Sequence, residues 1–262
     1  MLKILDVIYL GMNLPSLKKE VEDQETYQSF TKKVVRTNDE SCVWICFPGW
    51  NMPIERAESV GFLPNQGTKI IYQGPMSVIG LTPKQTEESL VRLKNDILIT
   101  LDREGLFNRP IKIFGFSAGT LPAFWLANHL EVAKLIAVST GYRLGEGIFN
   151  SLITLETKRA LSKAGWNKNA YDTRVAPFNQ ENNIENLPEG EVTIFAGKHD
   201  TYVPHEHSVI MFEKLKDAGK KPKFHSFDLL DHVSIALYLG WLNKKGKDPY
   251  ELEEPIEDSL AS

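Results

Sequence analysis

A serine stands midway between two glycines in Gly115-Phe116-Ser117-Ala118-Gly119, directly after an apolar run. Ile111, Ile113, Phe114 and Phe116 read as a buried strand and Ala118 to Leu130 as a helix, which puts Ser117 at the corner between them. A chain that turns from strand to helix within a residue or two holds its corner residue in a sparsely populated backbone conformation, and the flanking residues must be small for the two segments to pass. Gly115, Ala118 and Gly119 meet that demand. The chemistry such a corner suggests is nucleophilic attack by an exposed hydroxyl.

A serine hydroxyl is a weak nucleophile at neutral pH. It needs a base to take its proton, and the base needs an anion to fix its tautomer and stabilise its charged form. General-base catalysis of this kind contributes about 10² to 10⁴-fold in rate. The chain has six histidines. His129 lies on the helix after Ser117, His225 within a strand-like run, and His205 and His207 at a helix start, where structural or solvated roles are usual. His232 alone follows the last strand-like run. On the residues alone, the acid stays open between Asp200, Asp228 and Asp231. His199, Asp200, His205 and His207 also admit a zinc reading, which no helical His-x-x-x-His pair supports.

The elements that must position these groups are legible along the chain. Strand-like runs recur at Lys32 to Thr37, Cys42 to Phe47, Thr68 to Gln73, Ile111 to Phe116, Lys134 to Thr140, Val192 to Ala196 and Lys223 to Asp228. The middle runs are continuously apolar, as parallel strands covered on both faces are. Between them lie helices. Thr82, Pro83 and Gln85 open one with a cap, a first-turn proline and a capping-box partner, Leu90, Leu93, Ile97 and Leu101 form its stripe, and Gly105 ends it. Others run from about Glu206 to Ala218 and from about Val233 to Asn243. The helix after Ser117 has almost no polar face and is expected to be central and buried. This alternation implies a single α/β domain with a mostly parallel, doubly wound sheet and helices on both faces. Sites in such sheets lie at the carboxyl ends of the strands.

Two segments fall outside the alternation. Gly141 to about Asn169 carries the helical stretch SLITLETKRALSKAGW and reads either as a small cap over the site or as a surface insertion. The tail from Gly246 to Ser262 has six acidic residues against one lysine and reads as a loosely attached end.

At 262 residues and 42% hydrophobic content, one sizeable core is expected. The net charge of -4 comes from scattered acids and bases, with no basic face for nucleic acid. The first residues, MLKILDVIYLGMNLP, are apolar but interrupted by Asp6 and too short to cross a bilayer, so a first strand is expected there. Cys42 and Cys46 fall in one strand-like run, roughly 13 Å apart at 3.3 Å per residue, too far for a disulfide. With no signal sequence, free thiols place the chain in the cytoplasm by default.

With strand, corner and helix in hand, Gly115-Phe116-Ser117-Ala118-Gly119 resembles the Gly-x-Ser-x-Gly nucleophile elbow of the α/β-hydrolase superfamily. Downstream, VTIFA ends in Gly197-Lys198-His199-Asp200-Thr201-Tyr202-Val203-Pro204, which resembles that family's acid loop, and FHSFDLL gives way to Asp231-His232 before an apolar helix, as in its histidine loop. The resemblance covers about Cys42 to Leu242 and implies a Ser117, Asp200, His232 triad in the family's order. It implies a serine hydrolase that cleaves a carboxylic ester or related acyl bond of a small-molecule substrate through an acyl-enzyme, without cofactor or metal. It further implies an oxyanion hole from the backbone amides of Ala118 and Trp50, the latter in Phe47-Pro48-Gly49-Trp50-Asn51, where proline replaces the histidine of the family's His-Gly-x loop. ICFPGW also resembles the start of the matching loop in stand-alone thioesterases, without their doubled glycines. Trp50 and Tyr202, flanking the proposed oxyanion and acid loops, are expected to contact substrate. Met76, Phe178 and Trp166 are expected to pack in the core. A thioesterase or peptidase would use the same machinery, and a non-catalytic protein that kept the fold would have lost a member of the triad.

Overall fold

The computed structural model describes residues 30–49, 52–73, 83–151, 154–188 and 191–251. All seven strand-like runs form strands: β1 (Thr31–Val35), β2 (Val43–Phe47), β3 (Thr68–Gln73), β4 (Ile111–Phe116), β5 (Lys134–Val138), β6 (Val192–Gly197) and β7 (Lys223–Phe227). They form one sheet in the order β1-β3-β2-β4-β5-β6-β7. β1 runs antiparallel to β3, and every other neighbouring pair is parallel. The first strand expected in MLKILDVIYLGMNLP and the cap residue Thr82 lie outside the described residues.

The side-chain alternation of β2 shows how the sheet divides its core. Val43, Ile45 and Phe47 join one buried cluster with α2 (Pro83–Arg103), α3 (Thr120–His129) and α7 (His205–Asp217). Cys42, Trp44 and Cys46 join the other, under α1 (Ile54–Val60) and α8 (His232–Lys244). Both cysteines are buried and unbridged. β2 is buried at every position because helices cover both of its faces. The chain order reverses beside β2, since β3 lies on one side of it and β4 on the other. The carboxyl ends of β2 and β4 therefore flank the crevice where open α/β sheets bind ligands.

Two expectations need revision. The insertion holds two short helices and the start of a third rather than one stretch: α4 (Leu144–Asn150), α5 (Leu155–Lys163) and α6 (Lys168–Val175), which runs past it. α4 contains two glycines and starts on long-range side-chain caps, with Asn179 Oδ1 accepting from Leu144 N and Asp172 Oδ1 from Gly145 N. Tertiary contacts, which local propensity cannot register, set its start. The tail also differs, because Gly246 to Glu251 is docked instead of loose. Tyr250 is buried between the rings of Phe114 and Phe195, and its hydroxyl donates to the Phe62 carbonyl. Glu251 accepts from Lys112 at 3.2 Å and from Lys134 at 3.0 Å.

Burial also sets a pH sensitivity. His225 is 3% exposed and stacks on Phe195 with ring centroids 4.7 Å apart. Desolvation, with a smaller contribution from Lys223, pushes its pKa from 6.5 down to about 4. Because the folded-state value lies below the unfolded one, the native chain binds fewer protons, and the associated stability is present above pH 6.5 and lost as the pH falls toward 4. We expect chemical denaturation to show a loss on the order of 3 kcal/mol across that window that His225→Phe abolishes. An unchanged pH profile in the variant would assign the loss to other groups. Independently, Tyr250→Ala is expected to cost about 3 to 5 kcal/mol in the same assay, as the removal of a large buried ring does. A cost near zero would mean that the tail contributes nothing to the fold.

Candidate active site

At the end of β4 the backbone passes from extended geometry at Phe116 (φ -120, ψ 132) to a left-handed φ of 55 at Ser117. A 3-10 turn over Ser117–Gly119 follows, and α3 begins only at Thr120. The expected helix thus starts one tight turn later. Three close approaches explain the corner. A Cβ on Gly115 would meet Ala123 Cβ and the Gly119 carbonyl oxygen at 2.8 Å, and one on Gly119 would meet the Phe47 carbonyl oxygen at 2.3 Å. Gly49, itself at φ 93, would touch the Phe116 carbonyl oxygen at 2.9 Å and Ser117 Cβ at 3.5 Å. The loop after β2 therefore abuts the corner, and only glycine fits these crossings. Thr120 Oγ1 donates to the Ser117 carbonyl at 2.7 Å and ties the turn to the first residue of α3.

The other two residues of the expected triad come from the loops after β6 and β7. Lys198 N donates to the Phe227 carbonyl at 2.9 Å and His199 N to the Leu230 carbonyl at 3.0 Å. A Cβ on Gly197 would lie 2.4 Å from that same Leu230 oxygen, so the loops can run side by side only because position 197 has no side chain. The result is a 2.7 Å contact between His232 Nδ1 and Asp200 Oδ2, both residues being buried. Asp200 Oδ1 accepts from the amides of Tyr202 at 2.9 Å and Val203 at 2.8 Å, which holds the carboxylate in place. A carboxylate beside Nδ1 favours the tautomer that carries its proton there and leaves Nε2 free to accept one.

The other carboxylates that the sequence left open are engaged differently. Asp228 pairs with Lys198 at 2.5 Å, and Asp231 caps α8 in a reciprocal box with Ser234. Four of the five remaining histidines have separate surroundings, while His207 lines the same cavity as Ser117 and His232. His129 Nδ1 meets the Trp125 carbonyl at 2.7 Å, His205 Nε2 meets Ser226 Oγ at 2.9 Å, His225 is buried against Phe195, and His199 is exposed. Among the described residues, no group of three or more His, Cys, Asp or Glu is arranged to hold a metal ion.

Ser117 and His232 line one cavity of about 320 Å³. Phe116, Ala118 and Tyr202 line it beside them. The His232 ring lies between Phe116 and Tyr202, each with its ring centroid 4.9 Å from that of the imidazole. Tyr202 is therefore on the cavity wall. Phe178 and Trp166 pack in the core, while Trp50 and Met76 lie outside the described residues. Leu144, Gly147, Ile148, Ser151 and Thr154 of the insertion form one wall of the cavity. Met52, Arg56 and Val60 come from the loop and helix after β2, and Val233, Ala236 and Leu237 from α8. Sequence reasoning missed these wall residues. The four-residue spacing of Met52, Arg56 and Val60 behind the Gly49 loop was the one available signal.

The strain at the corner is directly measurable. Glycine at 117 relieves the left-handed backbone, whereas alanine keeps it, so Ser117→Gly is expected to match or exceed Ser117→Ala in stability, by about 1 kcal/mol. A clearly less stable glycine variant in thermal denaturation would mean that the corner is unstrained.

No family model matches the chain, and no curated protein sequence matches it. Solved structures do match in shape. Pyrococcus horikoshii acylaminoacyl peptidase superposes with a TM-score of 0.61 at 14% identity, over 87% of this chain and 42% of that one, so the chain spans less than half of that protein's length. Acetyl xylan esterase 1 from Thermoanaerobacterium sp. gives a TM-score of 0.57 at 10% identity over 87% of this chain and 93% of the other. Zea mays acyl-protein thioesterase 2 gives 0.51 at 15% identity over 82% and 99%. These proteins belong to the α/β-hydrolase superfamily, and the seven-stranded sheet with its helical layers shows that this chain has the α/β-hydrolase fold.

Proposed function

We propose that the chain is a serine hydrolase that cleaves a carboxylic ester or a related acyl bond through an acyl-enzyme, with the domain spanning residues 1–245 and the 141–169 segment as its cap. The observation that carries the reading is the 2.7 Å His232–Asp200 contact on the wall of the cavity that also holds the strained Ser117. In this reading Ser117 Oγ attacks the substrate carbonyl carbon while its proton passes to His232 Nε2. The imidazolium keeps its Nδ1 proton on Asp200, and the carbonyl oxygen becomes an oxyanion. Collapse of the tetrahedral intermediate breaks the bond to the leaving group, which takes the proton from Nε2. Water then gives a proton to Nε2, attacks the acyl carbon and releases the acid, and the proton returns to Ser117.

The oxyanion falls to the backbone amides of Ala118, at the start of the turn into α3, and Trp50. The abutment of Gly49 on Phe116 and Ser117 supports the second assignment, because it places the preceding residue of that loop against the corner. Tyr202 contacts the substrate beside His232. The small-molecule acyl substrate needs no cofactor, because every proton and electron pair in the cycle is supplied by side chains and water.

Ester and thioester substrates discriminate the leaving group, since the acyl step is common to both. We expect wild type to turn over p-nitrophenyl esters or acyl thioesters, a fluorophosphonate to label Ser117, and Ser117→Ala to abolish both. Asp200→Asn is expected to lower kcat by about 10³ to 10⁴-fold with a folded chain, because the amide favours the wrong tautomer. Full activity in Asp200→Asn, or labelling that survives Ser117→Ala, would refute the assignment.

A further inference from the structure

We infer that the substrate carries an anionic group and that Arg56 selects for it. This rests on the serine hydrolase reading of the same cavity. Among the residues described as lining the cavity, the acidic side chains Asp and Glu are absent, and Arg56 and Arg143 are the permanently charged ones. The two arginines are not equivalent. Arg143 is ion-paired with Glu181, which raises its pKa and offsets its charge. Among the described residues Arg56 has no carboxylate at ion-pair distance, and its side chain is exposed.

The scaffold aims Arg56 at the cavity. α1 and α8 cross where a Cβ on Gly240 would meet the Val60 carbonyl oxygen at 2.3 Å, so their backbones touch. Val60 and Leu237 then line the cavity from the two sides of this crossing, and Arg56 lies one turn before Val60 on the same face of α1. The acidic residues of α1 are turned elsewhere. Glu58 pairs with Lys33 at 2.7 Å, and Glu55 is rotated by about 100° from Arg56 around the helix. An uncompensated guanidinium beside apolar walls, in a chain with a net charge of -4, is a local positive site set against the overall field. Its planar fork binds a carboxylate or a phosphate in two-point fashion. Val60, Ala236 and Leu237 alongside offer surface to a hydrocarbon spacer between the anion and the scissile carbonyl.

The test uses three aryl esters of matched acyl length whose far ends are a methyl group, a carboxylate or a phosphate, in a series of graded lengths. Wild type is expected to prefer at least one anionic series in kcat/KM, and whichever is preferred identifies the anion. Arg56→Gln is expected to lower the ratio of anionic to methyl-ended kcat/KM about tenfold, and Arg56→Lys to restore part of it. An unchanged ratio in Arg56→Gln, with the methyl-ended ester still cleaved and Ser117 still labelled by a fluorophosphonate, overturns the role of Arg56 and leaves the hydrolase reading standing. Failure of wild type to cleave every ester, with no labelling of Ser117, removes the hydrolase reading and this inference with it.

Discussion

Everything in the site depends on how closely three backbones pass at the end of β4. α3 must lie against β4 for the sheet to be covered, and the loop after β2 must reach over both. Gly115, Gly119 and Gly49 are the points of contact, with ideal Cβ positions 2.3 to 2.9 Å from neighbouring carbonyl oxygens. A methyl group at any of them forces the segments apart, at a cost of about 1 to 3 kcal/mol or more. Once the crossing is made, the residue between strand and helix has no right-handed solution, and Ser117 takes φ 55. The strain is local, and the packing that over-determines it is spread across α3, β2 and β4.

The parallel sheet turns this local corner into a site. Because β2, β4, β6 and β7 run in one direction, their following loops all emerge on one edge, and residues distant in sequence arrive there together. The loops after β6 and β7 are fastened to each other by backbone hydrogen bonds and by the close passage at Gly197. Asp200 and His232 inherit their geometry from that fastening. The walls from the insertion and from α1 and α8 are added around this edge by separate packing. They can therefore vary in shape without disturbing the corner.

How much of this was legible in the sequence follows from where the causes lie. The middle strands were readable because continuous apolar runs of strand length between helices have few other solutions. The corner was readable because its glycines are adjacent to it in sequence. Among the carboxylates, the choice between Asp200, Asp228 and Asp231 was not readable from the residues alone. It turns on Asp231 having its own employment as a helix cap and on Asp228 pairing with Lys198. α4 was missed because Asn179 and Asp172, 35 and 27 residues away, cap its start. The docking of residues 246–251 was missed because acidic composition outweighed one tyrosine, although Tyr250 fills a gap between Phe114 and Phe195. The spacing of Met52, Arg56 and Val60 hinted at a shared face, but the role proposed for Arg56 was not readable, since it depends on which carboxylates do not reach it.

The central claim is that the hydroxyl at the strained corner becomes covalently acylated during turnover. Brief incubation with an activated acetyl ester, an acid quench and peptide mass spectrometry test it most directly. The account predicts one acetyl group, carried by Ser117 and lost on return to neutral pH at a rate that Asp200→Asn slows. Acetyl groups absent from Ser117 while the ester is still consumed would contradict it.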